Sequence, residues 1–137
     1  MPEICALEQS YKSYIVYLPA VVIAAGIGIV CLMEMPPSET PFPINDKVIH
    51  GIMYGVLAIS WMMALLYNKR ACISAYAGVI AGCIAYGAVI EVLQDFCTLS
   101  RSAEMADVFA DATGAVIGVA LVWLIALIRS RYRETTT

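Results

Sequence analysis

The chain has 137 residues, of which 61% are hydrophobic and only 14% charged, with a net charge of −3. A soluble globular domain is about 45–50% apolar and about a quarter charged, and nineteen charged residues could hardly coat a water-facing fold of this length. Together with a mean hydropathy of +0.81, this excludes a soluble enzyme, a nucleic-acid-binding domain and a disordered tail.

The charges are clustered, and the uncharged stretches between them cover residues 13–33, 48–68, 71–90 and 112–128. A helix rises about 1.5 Å per residue, so about 20 residues cross a hydrocarbon core about 30 Å thick. The first three stretches are long enough as they stand. The fourth is short, so its helix is expected to begin earlier, near 102–105, with Asp107 and Asp111 in its first turns. None alternates with period two as a membrane β-strand would. The chain therefore reads as one all-α domain over 1–137, a four-helix transmembrane bundle with helices at about 13–34, 47–68, 71–94 and 104–128.

The first span has an acidic flank, a long apolar core and no small-residue cleavage site, so it is expected to stay in the mature protein rather than act as a signal peptide. Lys12, Lys69, Arg70, Arg129, Arg131 and Arg133 fall on one side of such a bundle, and only Lys47 and Arg101 on the other. The excess of Lys and Arg on the inner side predicts both termini in the cytoplasm and the loops 34–47 and 95–104 outside. The outer side also collects eight of the eleven acids.

Between the first two helices, Pro36, Pro37, Pro41 and Pro43 rule out a continuous helix. The five cysteines, Cys5, Cys31, Cys72, Cys83 and Cys97, form no C-x-x-C pair and no zinc spacing. Cys31 and Cys97 would share the outer side and could pair only if their Cα atoms came within about 7 Å; small hydrophobes filling helix interfaces is the reading favoured here. Gly51/Gly55, Gly78/Gly82 and Gly114/Gly118 are small-x-x-x-small pairs that let membrane helices approach closely. Packing within the chain accounts for them more simply than homodimerisation.

At 100° per residue, Lys47, His50, Gly51, Tyr54, Ala58 and Trp61 share one stripe of the second helix. Gly87, Glu91, Gln94 and Thr98 share a stripe of the third, and Asp107, Asp111, Gly114 and Gly118 line up on the fourth. The polar members all lie in the outer third of their helices. Charged groups at membrane depth face the bundle interior and pair with one another, so three stripes at one depth point to a single convergent site. Each residue also has a plainer explanation. His50 would serve as a core histidine bonded to a carbonyl, Lys47 would snorkel, Glu104 and Asp107 would complement a helix dipole behind a Ser102 cap, and Arg101 would anchor to a phosphate. Glu91, set a turn inside its helix among apolar neighbours, fits such explanations least. With burial so costly, it is expected within about 4 Å of Lys47, His50 or Arg101, or of a water or ion they share.

The run Asp46-Lys47-Val-Ile-His50-Gly-Ile-Met-Tyr54, then Glu91-Val-Leu-Gln94-Asp-Phe96, Arg101, and Asp107-Val-Phe-Ala-Asp111-Ala-Thr-Gly114-Ala-Val-Ile-Gly118, resembles the VanZ-like family. That family's pattern is D-K-x-x-H-x-x-x-Y, E-x-x-Q-x-F, an Arg, and D-x-x-x-N-x-x-G-x-x-x-G, and the resemblance covers roughly residues 44–120. This chain departs from it at Asp111, where the family usually carries Asn. The resemblance implies a small multi-pass protein of the bacterial cytoplasmic membrane, in a family linked to low-level teicoplanin resistance.

Three functions fit this reading. The first is an outward-facing site that binds, and in one version modifies, an amphiphilic envelope molecule such as a membrane lipid, a lipid-linked precursor or a lipoglycopeptide. Lys47, Tyr54, Gln94, Arg101 and Asp111 would bind it; His50 or Glu91 would act as general base, with Asp107 orienting. No cofactor or metal is expected, and a variant with a cation on His50, Glu91, Asp107 and Asp111 is the lesser version. The second is a small transporter or proton-coupled subunit, which would need polar groups at several depths. The third is a non-catalytic partner subunit of an envelope complex, or one copy of a homo-oligomer. No nucleic-acid partner is expected.

Overall fold

The computed structural model describes residues 13–33, 46–97 and 104–134, and these form four helices. They are α1 (Leu18–Leu32), α2 (Asp46–Tyr67), α3 (Ile73–Cys97) and α4 (Met105–Glu134). A helical turn at 13–15 precedes α1, and the helix restarts with Pro19 in its first turn. There the missing N–H costs nothing, because first-turn amides lack helical partners anyway. Each helix lies in a segment long and apolar enough to cross a membrane.

The ends of α3 and the end of α4 differ from the sequence expectation. Helix α3 starts at Ile73 rather than 71, because Ala71 and Cys72 belong to the connection; the Cys72 carbonyl accepts the N–H groups of Ala75 and Tyr76. It continues past 94 to Cys97, and α4 continues past 128 to Glu134. Hydropathy marks where the apolar stretch ends, but a helix does not stop there. Arg131, in the last turns of α4, suits the negative end of the helix dipole.

The helices run up and down, and the α2–α4 interface is the most extensive. Its closeness comes from glycine. A Cβ on Gly114 would fall on the backbone of Gly51, one on Gly118 would crowd the backbone of Gly55, and Gly55 itself lies against Gly114. Two of the three glycine pairs thus face each other within the chain. Gly78/Gly82 does not follow this pattern: a Cβ on either would meet nothing within 4 Å. Helix α1 is tied to α3 by the Tyr86 hydroxyl donating to the Ala24 carbonyl (2.6 Å) and the Gln94 amide donating to the Cys31 carbonyl (2.9 Å).

The buried centre is Tyr54, Leu57, Ala58, Met62, Cys83, Ala115, Val119 and neighbours. The outer faces carry Val22, Ile29, Ile52, Val116, Ile117, Trp123 and Ile128, all exposed. In water that surface would be an aggregation hazard; in a bilayer it is the solvated face. Cys31 and Cys83 are buried at helix interfaces, and Cys72 and Cys97 are exposed. The Pro-rich loop, Cys5, Thr98, Ser102 and Arg101 lie outside the described residues.

Candidate functional site

Because the helices are antiparallel, the first turns of α2 and α4 meet the last turns of α1 and α3 at one end of the bundle. Asp107 and Asp111, one turn apart on α4, are both buried. The Lys47 ammonium donates to Glu104 Oε2 at 2.8 Å and to Asp107 Oδ1 at 3.0 Å, so it bridges α2 to the head of α4. One turn deeper, His50 Nδ1 and Asp111 Oδ1 are 3.1 Å apart, with the two residues only 2% and 1% exposed. His50 thus has a carboxylate partner rather than the carbonyl a plain core histidine would take. Bonding through Nδ1 fixes the ring orientation and leaves Nε2 for a second partner.

Helix α3 contributes space as well as a carboxylate. A Cβ on Gly87 would strike the Asp111 carboxyl group, so Gly87 makes room for that acid. Glu91, 3% exposed, accepts the backbone N–H of Glu104 at Oε2 (3.0 Å), and its Oε1 has no partner among the described residues. Arg101 lies outside the described residues, and within them Glu91 pairs with neither Lys47 nor His50. Its oxygen is instead satisfied by the amide at the start of α4, a neutral donor that the charge pattern could not reveal. Gln94 reaches the Cys31 carbonyl on α1. Tyr54 lies below His50 with its ring 6.1 Å from that of Tyr86, and its hydroxyl has no partner among the described residues.

The three stripes therefore bring Lys47, His50, Glu91, Asp107 and Asp111 to one end, with Tyr54 and Gln94 at its margin; Arg101 falls outside the described residues. Sequence reasoning noted Asp46 and Glu104 but gave neither a place in the site. Each had a signal: Asp46 is four residues before His50 on the same helix, and Glu104 is three before Asp107. One ligand atom each from Asp46, His50 and Asp107 lies within 4.8 Å of the others. This differs from the grouping of His50 with Glu91, Asp107 and Asp111, because Asp111 is bonded to the histidine itself and Glu91 to the Glu104 amide. Among the described residues, the carboxyl groups of Asp46, Glu91, Glu104, Asp107 and Asp111 gather with one ammonium and one imidazole at this end of the bundle, and Asp95 lies exposed on the last turn of α3.

Fold and site together define a small multi-pass membrane-protein bundle with a buried, acid-rich polar cluster at one end. The family comparison gives the same class: a model of the VanZ/LLP1 family matches residues 9–127, and the chain belongs to that family. No curated protein and no solved structure matches it.

Proposed function

We propose that this protein sits in the bacterial cytoplasmic membrane, both termini inside, and binds an amphiphilic envelope molecule at its outward-facing polar end. The observation that carries this reading is a groove of about 560 Å³ along the α2–α4 seam. It begins at Lys47 and descends past Gly51, Gly55 and Gly114 to Leu121, with almost wholly apolar walls. A head group at the cluster and a hydrocarbon chain along the glycine seam would match its two ends. Lipidated glycopeptides such as teicoplanin, to which the family is linked, share this split between polar head and chain.

The test is retention of teicoplanin, and of its chain-free counterpart vancomycin, by the protein in nanodiscs. Teicoplanin should bind at least tenfold more tightly, and Ile117→Trp, which fills the groove, should erase the difference. Equal binding of both, indifferent to Ile117→Trp, would overturn the reading. Orientation is checked with the native thiols at opposite ends, Cys97 and Cys72. The Ser74 hydroxyl, 3.1 Å away, and the Ala75 N–H hold the exposed Cys72 thiol below its ordinary pKa, so Cys72 reacts readily wherever reagent reaches it. An impermeant maleimide should label a Cys97-only variant on intact cells and a Cys72-only variant only after lysis.

A further inference from the structure

From the placement of Asp46, His50 and Asp107 we infer a binding site for one divalent first-row transition cation, zinc or manganese, at the polar end of the bundle. This goes beyond the amphiphile reading and does not rest on it.

The donors come from two helices. Asp46 and His50 are one turn apart at the start of α2, and Asp107 faces them from the first turns of α4. Their ligand atoms lie within 4.8 Å of one another. Bonds of about 2.1 Å to a tetrahedral ion place donors about 3.4 Å apart, so modest side-chain rotation closes the set. Asp107 offers a second oxygen beside the one that Lys47 takes.

The histidine is what distinguishes this from an ordinary acidic patch. Its Nδ1 is held by Asp111 Oδ1 in a buried pair, leaving Nε2 as the donor. A carboxylate behind a histidine is the usual support of a metal-bound imidazole, fixing its tautomer and raising its basicity. Glu91 is a second, independent pointer. It is almost fully buried, its Oε1 has no partner among the described residues, and its other oxygen is fixed at the head of α4 by the Glu104 amide. A carboxylate oxygen is left unpartnered in a low-dielectric site only at considerable cost, and positive charge bound elsewhere in the same polar cluster would lower that cost.

One imidazole nitrogen with carboxylate oxygens suits zinc or manganese. Calcium and magnesium favour all-oxygen sites.

The experiment is calorimetric titration of the full chain, in metal-stripped detergent micelles without any glycopeptide, with zinc, manganese, magnesium and calcium chlorides. One zinc or manganese ion per chain should bind at least tenfold more tightly than magnesium or calcium. Asp107→Asn and His50→Gln should weaken it at least 100-fold, and Asp111→Asn, acting through the histidine, 10- to 100-fold. Glu104→Gln should stay within threefold, and Lys47→Met should bind as tightly or more tightly. Circular dichroism establishes that each variant is folded, and Asp107→Asn carries the test where His50→Gln is not. No binding above the micelle blank, preference for magnesium or calcium, or affinity unchanged in Asp107→Asn would overturn the site. Teicoplanin retention lost while cation binding persists would remove the amphiphile reading alone.

Discussion

The two ends of this bundle are closed by different chemistry. At the end where α2 runs into α3, the described residues close the bundle with backbone and neutral side-chain hydrogen bonds. Arg70 N–H bonds back to the Leu65 carbonyl (2.8 Å) and Lys69 N–H to Leu66 (3.0 Å), while Ser13 and Asn68 exchange hydrogen bonds of 2.6 and 3.0 Å across α1 and α2. At the other end the helices are joined by ionisable side chains 57 to 61 residues apart in sequence, including a buried histidine–aspartate pair. Backbone caps would have joined those helices without desolvating charge. That this end carries buried carboxylates instead is the physical reason for proposing it as the working end and the other as a staple.

The largest effect should come from splitting the His50–Asp111 pair. His50→Ala leaves a buried carboxylate uncompensated, and breaking such a pair from one side costs about 3–5 kcal/mol. Asp111→Asn keeps an acceptor for the imidazole in nearly the same volume and should cost less than about 1 kcal/mol. Reversible SDS unfolding in mixed micelles measures both. Equal losses would mean that the pair is packing rather than electrostatics, and the contrast between the two ends would fade.

The next effect tests the seam that leads to that end. Gly114→Ala pushes a methyl onto the Gly51 backbone, and forcing packed elements apart costs about 1–3 kcal/mol. Gly82→Ala meets open space and should be neutral or stabilising by up to about 1 kcal/mol through helix propensity. Comparable destabilisation by the two changes would show that Gly78/Gly82 is also buried in the working protein.

The same glycine pairs show where sequence reading stops. Four apolar stretches set out the helices, and their failure at the ends of α3 and α4 reflects hydropathy reporting the bilayer rather than the hydrogen-bond ladder. The stripes on α2, α3 and α4 were legible because charge is scarce in the membrane and helical spacing places it. Which glycine pair would face which was not legible: all three have the same spacing, and only the α2–α4 pairing distinguishes them. Nor was the Glu104 amide as partner of Glu91, since a backbone donor carries no sequence signature. Room for the Asp111 side chain comes from Gly87 on another helix, a contact that needs coordinates to see.

The smallest effect belongs to the stapled end. The α2 C-terminus closes with a 6→1 and a 5→2 backbone hydrogen bond around Lys69, whose φ of 55° is left-handed. This position usually belongs to glycine, because a Cβ there crowds the neighbouring carbonyl and costs about 1–2 kcal/mol. Glycine brings more freedom to the unfolded chain, which offsets part of that gain. Lys69→Gly should therefore stabilise the bundle by about 0.5–1 kcal/mol in the same unfolding assay and leave teicoplanin retention and cation binding unchanged. A shift in either ligand measurement would mean that the two ends are coupled through α2, and that the staple takes part in the work done at the far end.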